Sequence, residues 1–145
     1  MKKIIILLPV LLAFVASAIA SPVLPDNKRV MNAFKQQFEG AENVTWSEVQ
    51  GRYEKATFVW AGHVTTAYFN KLGEFVGAIR TLYNSQVPLA VSRTLNSSYK
   101  GYELEVVREL TSQEGTSYSL VVKWKNKRYR VRLLPDGSIL ESDKV

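Results

Sequence analysis

The sequence predicts an α+β fold made of two tandem units, each a helix packed on a four-stranded antiparallel sheet. Three observations carry this. Val30, Phe34, Phe38 and Gly40 recur 61 residues later as Val91, Leu95, Tyr99 and Gly101, a helical stripe followed by a glycine stop. After each stripe come short β-rich runs separated by turn residues about every 8 to 12 positions, the rhythm of an antiparallel meander. Those runs repeat at an offset of 64: Trp60 with Trp124, Gly73 with Gly137, Phe75 with Ile139. The three additional residues fall between Gly101 and Tyr118, so the second unit has the longer first hairpin. A repeated unit of this size buries its helix stripe only by laying it across its own sheet. The pattern leaves open whether the two units share one continuous sheet.

The chain begins with the features of an export signal. Lys2 and Lys3 supply the positive start, Ile4 to Val15 the apolar run, and Ala18-Ile19-Ala20 the small-x-small pattern that signal peptidase cleaves. The run is short for a membrane span, which needs about 20 apolar residues. Residues 1–20 are therefore expected to be removed. Residues 21–145 are then one domain of two repeats, about 26–80 and 87–143. Loss of Lys2 and Lys3 leaves 17 basic against 13 acidic residues, a net charge of +4 against +6 for the whole chain. That bias permits an acidic partner or an anionic envelope surface without requiring either. Nucleic acid is set aside as a partner, because the signal directs the chain out of the cytoplasm. There is no cysteine. An exported domain without disulfides depends on its core, which suits a periplasm.

The elements follow in order. Asp26 is the expected N-cap of the first helix, whose apolar stripe is Val30, Ala33, Phe34 and Phe38 and whose stop is Gly40. Strands are expected at Asn43 to Glu48, Arg52 to Trp60, His63 to Phe69 and Glu74 to Arg80. Gln50-Gly51, Ala61-Gly62 and Asn70 to Gly73 turn between them. Ala56, Phe58 and Trp60 share one strand face. Pro88 is expected at the first position of the second helix, where its missing N–H has no consequence. Strands at Tyr102 to Leu110, Ser117 to Trp124, Arg128 to Leu134 and around Ser138 to Glu141 complete the second unit. Tyr118, Leu120, Val122 and Trp124 face inward, as do Tyr129, Val131 and Leu133.

This arrangement resembles a family of periplasmic proteins of Bacteroidetes-type bacteria described as β-lactamase-inhibitor-like and PepSY-like. The likeness is carried by Phe34, Phe38, Gly40-Ala41, Val44 and Trp46. It continues through Tyr53, Ala56, Phe58, Tyr68-Phe69, Gly73, Val87-Pro88-Leu89 and Asp136-Gly137. The resemblance implies a helix on a four-stranded antiparallel sheet, in tandem; the family's name records a structural similarity to a β-lactamase inhibitor. The PepSY part of the family's name belongs to a domain credited with restraining peptidases. No functional residues carry over from it.

The residues themselves point to binding rather than catalysis. His63 is the only histidine, so a zinc site has neither a second imidazole nor a thiolate, and no motif surrounds it for a nucleophilic triad. It reads as an exposed strand residue. The acidic residues from Glu39 to Glu114 read as scattered on turns and polar strand sides, without the burial that tunes a catalytic carboxylate. No glycine loop cradles phosphate. No cofactor is expected. Lys123, Lys125, Lys127, Arg128, Arg130 and Arg132 are six basic residues in ten. With Tyr129 and Val131 inward, Arg128, Arg130 and Arg132 share the outer face of one strand. They read either as an anion-binding patch or as charges that protect an edge. Trp60 and Trp124 read as lids on their own cores. Tyr68 alternates with inward Ala67 and Phe69, and Tyr53 is opposite in parity to Phe58, so both turn to the open side of the sheet. The leading expectation is a non-enzymatic periplasmic binding module, of which an inhibitor or regulator of an envelope enzyme is one form, that meets a protein or peptide with Tyr53, Tyr68, Arg128, Arg130 and Arg132. The alternatives are a small-ligand pocket between helix and sheet and a weak hydrolase using His63.

Overall fold

A computed structural model describes Pro25 and residues 27–145. The export signal expected at residues 1–20 and the expected cap Asp26 lie outside the described residues. Helix α1 spans Lys28–Gln37, and its cap is Asn27, one residue beyond the expected Asp26. The Asn27 side chain accepts from the Arg29 N–H and donates to the Lys71 carbonyl, which ties the helix start to a turn of the sheet. Strands β1 (Glu42–Val49), β2 (Tyr53–Trp60), β3 (His63–Asn70) and β4 (Phe75–Thr81) follow. A 3-10 turn at Asn84–Gln86 leads into α2 (Leu89–Ser98), which starts one residue after the cap, Pro88. Strands β5 (Glu103–Ser112), β6 (Gly115–Trp124), β7 (Lys127–Leu133) and β8 (Ile139–Lys144) complete the chain. β8 runs past the expected end at Glu141, because Arg130 and Tyr129 continue to pair with Asp143 and Lys144.

All eight strands form one antiparallel sheet in the order β1 to β8. β4 and β5 join its halves, from Gly77 opposite Ser112 to Thr81 opposite Arg108. An extra side chain does not fit at this join: a Cβ on Gly77 would stand 2.8 Å from the Thr111 carbonyl oxygen.

Both helices lie on the same side of the sheet, over two adjoining cores. Under α1, Val30, Phe34 and Phe38 meet Trp46, Ala56, Phe58, Ala67 and Phe69. Phe34 packs edge-on to Phe58, with ring centroids 4.9 Å apart, and edge-on to Trp46 at 5.1 Å. Under α2, Val91, Leu95 and Tyr99 meet Leu82, Val107, Tyr118, Leu120, Val122, Val131 and Leu133. The alternation read from the sequence thus sets the inward faces of β2, β3, β6 and β7. The indoles close the helix ends. Trp60 Nε1 donates to the Glu39 carbonyl and Trp124 Nε1 to the Lys100 carbonyl.

Candidate functional site

Pairing across the strands fixes what the opposite face presents. Thr57 faces Thr66, Thr66 faces Ile79, Ile79 faces Leu110, and Leu110 faces Ser117. Ser119 faces Arg132, two residues along the same strand face. Tyr53, Tyr68, Arg128, Arg130 and Arg132 therefore share the side that neither helix covers. Tyr53 stands opposite Asn70 and Tyr68 opposite Lys55, which makes the two rings diagonal neighbours on β2 and β3. The three arginines form a column on β7. Four strand spacings separate β3 from β7, about 19 Å, so tyrosines and arginines frame one face without converging on one point.

That face also carries apolar pairs that the sequence reading missed, interrupted on β5 by exposed Arg108, which stands opposite Thr81 and Ser119. Val59 pairs with Val64, Ile79 with Leu110, and Val106 with Val121. Gly77, Ile79, Leu110, Ser117 and Arg132 line a hollow of about 160 Å³ on that face. The signal was present in parity. Ile79 is out of phase with Ala78 and Leu110 with Val107, but short apolar runs show both parities and the β4–β5 pairing alone brings them together.

The arginine column is less basic than its sequence suggests, because the neighbouring strands answer it. Arg128 Nε and Nη2 donate to Glu105, with nitrogen–oxygen distances of 2.9 to 3.1 Å. Lys123 lies 3.5 Å from Glu103. Arg130 stands opposite Asp143 and Arg132 opposite Glu141.

On the helix side three expectations change. His63 is buried, not exposed. It begins β3 in phase with Ala67 and Phe69, so the strand turns it inward. Its Nδ1 lies 3.0 Å from the Thr81 carbonyl, which only an N–H can satisfy, and Gln86 Nε2 donates to its Nε2 at 3.2 Å. Gln86 Oε1 accepts in turn from the Tyr83 N–H. The ring is a structural clasp on the crossover between β4 and α2. Glu54 is also inward, in phase with Ala56 and Phe58, and its carboxylate accepts from Lys71 at 2.7 Å. That bond, followed by the one to Glu48, holds the Lys71 ammonium above its usual pKa. Glu109 turns inward and meets Arg80 at 2.8 Å, and the Tyr118 hydroxyl donates to its other oxygen at 3.2 Å. Burial, then the Glu109 charge, raises the Tyr118 pKa. These carboxylates are each committed to a cation, which is a structural rather than a catalytic arrangement.

Under each helix an apolar cluster joins it to its half-sheet. A cleft of about 280 Å³ lies beside the end of α1, over β4 and β5, lined by Phe38, Trp60, Phe75 and the Arg80–Glu109 pair. Among the described residues no three His, Cys, Asp or Glu side chains gather as metal ligands. No described helix is long and apolar enough to cross a membrane.

No protein-family model and no curated protein matches the chain. Solved structures do. A BLIP-like protein of Bacteroides fragilis superposes with a TM-score of 0.74 at 21% identity, over 85% of this chain and 89% of the other. The chain has the BLIP-like fold. A DUF2874 family protein of Bacteroides ovatus shares it at a TM-score of 0.74 and 22% identity, over 86% of this chain and 90% of the other. A protein of Bacteroides eggerthii, described as provisionally periplasmic, matches at 0.73 and 23% over 85% and 90%. The β-lactamase-inhibitor-like resemblance drawn from the sequence holds at the level of the BLIP-like fold: α+β, with two helices on one eight-stranded antiparallel sheet.

Proposed function

We propose that this is a non-enzymatic binding module of the periplasm that recognises a protein through the open face of its sheet, as an inhibitor or regulator of an envelope enzyme. One observation carries the reading: a helix-free face that sets the apolar Ile79–Leu110 pair, with exposed Arg108 beside it, between Tyr53 and Tyr68 on one side and Arg130 and Arg132 on the other. Aromatic and arginine side chains around an apolar centre are what protein interfaces use as anchors. The hollow beside Arg132 supports a partner whose surface loop presents an apolar side chain to Gly77, Ile79 and Leu110, with an acidic neighbour for the guanidinium. The export-signal pattern read at residues 1–20 supports a periplasmic setting, as does the description of the B. eggerthii protein. The BLIP-like and PepSY-like resemblances support restraint of an enzyme. The two halves are read as copies of one unit. Trp60 with Trp124, and Gly73 with Gly137, take the same places in each.

A photo-crosslinker placed at Tyr68 in intact cells tests the reading. It is expected to capture a discrete envelope protein, with capture abolished by Leu110→Asp and reduced at least tenfold by Arg130→Glu/Arg132→Glu. Capture of nothing specific, or capture indifferent to both variants while they remain folded, overturns it.

A further inference from the structure

β1 is an outer strand of the sheet, and on its helix side an apolar groove of about 450 Å³ runs between it and α1. Met31, Phe34 and Phe38 form the helix wall, and Ala41, Val44 and Trp46 the strand wall. The second half of the molecule shows what this place accommodates. There the strand following the helix is β5, and it is not an edge, because β4 pairs with it. Just beyond that pairing Leu82 donates its N–H to the Val107 carbonyl at 3.0 Å. Its side chain, 8% exposed, is buried in one cluster with Leu95, Tyr99 and Val107. At the offset of 61, those three residues correspond to Phe34, Phe38 and Trp46, which line the groove. One half therefore seats a leucine from a neighbouring strand beside its helix. The other half presents the same seat at an edge.

We propose that the α1–β1 groove is a peptide-binding site, which receives an extended segment of a partner protein as a further strand antiparallel to β1, with a large aliphatic side chain sunk between α1 and Trp46. The segment's N–H at that residue bonds the Trp46 carbonyl, as Leu82 bonds Val107. Main-chain bonds to an open edge supply affinity in such complexes, and the pocketed side chain supplies specificity. Lys35 and Glu39 stand at the rim, one charge of each sign, so the aliphatic residue rather than net charge selects the segment. The other outer strand, β8, carries Glu141, Asp143 and Lys144, all exposed, and such charges guard an edge against strand addition. The middle of β1 is Val44-Thr45-Trp46-Ser47, without a charge. The site rests on the equivalence of the two halves, and it is separate from the open face.

The probe is a synthetic heptapeptide with the chain's own sequence from Gly77 to Tyr83, capped at both ends and titrated into the isotopically labelled mature protein. Saturable amide shift changes are expected along Met31–Trp46. A Leu-to-Asp change at the peptide's Leu82 position is expected to weaken binding at least tenfold. Val44→Glu in the protein is expected to abolish binding, with Ala41→Asp as a second groove variant should the first not fold. Leu110→Asp on the open face leaves peptide binding unchanged, which separates this site from the partner face. Shifts centred on β5 or the open face, equal binding of the Asp peptide, nuclear Overhauser contacts placing the chain's own Val23 or Leu24 in the groove, or self-association through β8 would each overturn the proposal.

Discussion

Arg80, Glu109 and Tyr118 show how single residues are recruited to join the halves. Arg80 is on β4 and Glu109 on β5, so their 2.8 Å contact crosses the join. Arg80 Nε is buried with no hydrogen-bond partner among the described residues, so the guanidinium is anchored chiefly by that carboxylate. Tyr118 adds a hydroxyl on the far side of Glu109. Its phenol is raised above the ordinary 10.0, first by burial and then by the Glu109 charge. The folded chain thus holds this proton more tightly than the unfolded chain does. The associated stability is fully present below about pH 10 and is lost as pH rises through the folded pKa. Tyr118→Phe is expected to cost about 1 kcal/mol at neutral pH and to flatten the alkaline fall in stability, read from urea midpoints between about pH 8 and 12. Lys71, also raised, titrates in both proteins, so the difference reports Tyr118 alone.

At the scale of elements the two helices are equivalent in packing but not in their starts. Asn27 caps α1 with its side chain and bonds the Lys71 carbonyl as well, whereas Pro88 stands at the cap of α2, not at its first helical position, and makes no side-chain cap bond. Asn27→Ala is therefore expected to destabilise the protein by about 1–2 kcal/mol, seen as a lower urea midpoint at unchanged slope. The same substitution at Pro88 removes no cap bond and stays within about 0.5 kcal/mol. The strands were legible from alternation because inward residues recur with period two within each strand, as Ala56, Phe58 and Trp60 do on β2 and Tyr118, Leu120 and Val122 on β6. His63 and Glu54 were not, because residue type suggested exposure while strand phase turned them inward. Each is accommodated by partners distant in sequence: Thr81 and Gln86 for His63, Lys71 for Glu54.

The whole molecule depends on the β4–β5 join, where five residue pairs connect the halves, against eight between β2 and β3. Gly77 is its tightest point, and a side chain there meets the Thr111 carbonyl. In the wild-type protein the first-half Trp46 and Trp60 and the second-half Trp124 are expected to report one coincident unfolding transition. Gly77→Val is expected to loosen the join and separate the transitions. Single-tryptophan variants followed by fluorescence in urea make the comparison, and coincident curves in Gly77→Val would show that the halves stay coupled without a tight join. The same join assembles the candidate face, because it sets Ile79 beside Leu110 and aligns the tyrosine and arginine ends.

The sequence by itself determined the elements, their order and their inward faces, since helical spacing at Val30, Phe34 and Phe38 and alternation from Tyr118 to Trp124 are local and repeated. It also placed Tyr53, Tyr68 and the β7 arginines on the uncovered side. Only the tertiary structure decided that the two half-sheets are one, that Ile79 and Leu110 pair between those residues, and that Arg128 meets Glu105 while Arg130 and Arg132 stand opposite Asp143 and Glu141. The physical reason is common to all three. Each depends on which strand becomes whose neighbour, and strand pairing joins residues far apart in the chain through backbone hydrogen bonds that carry no mark in the side-chain pattern.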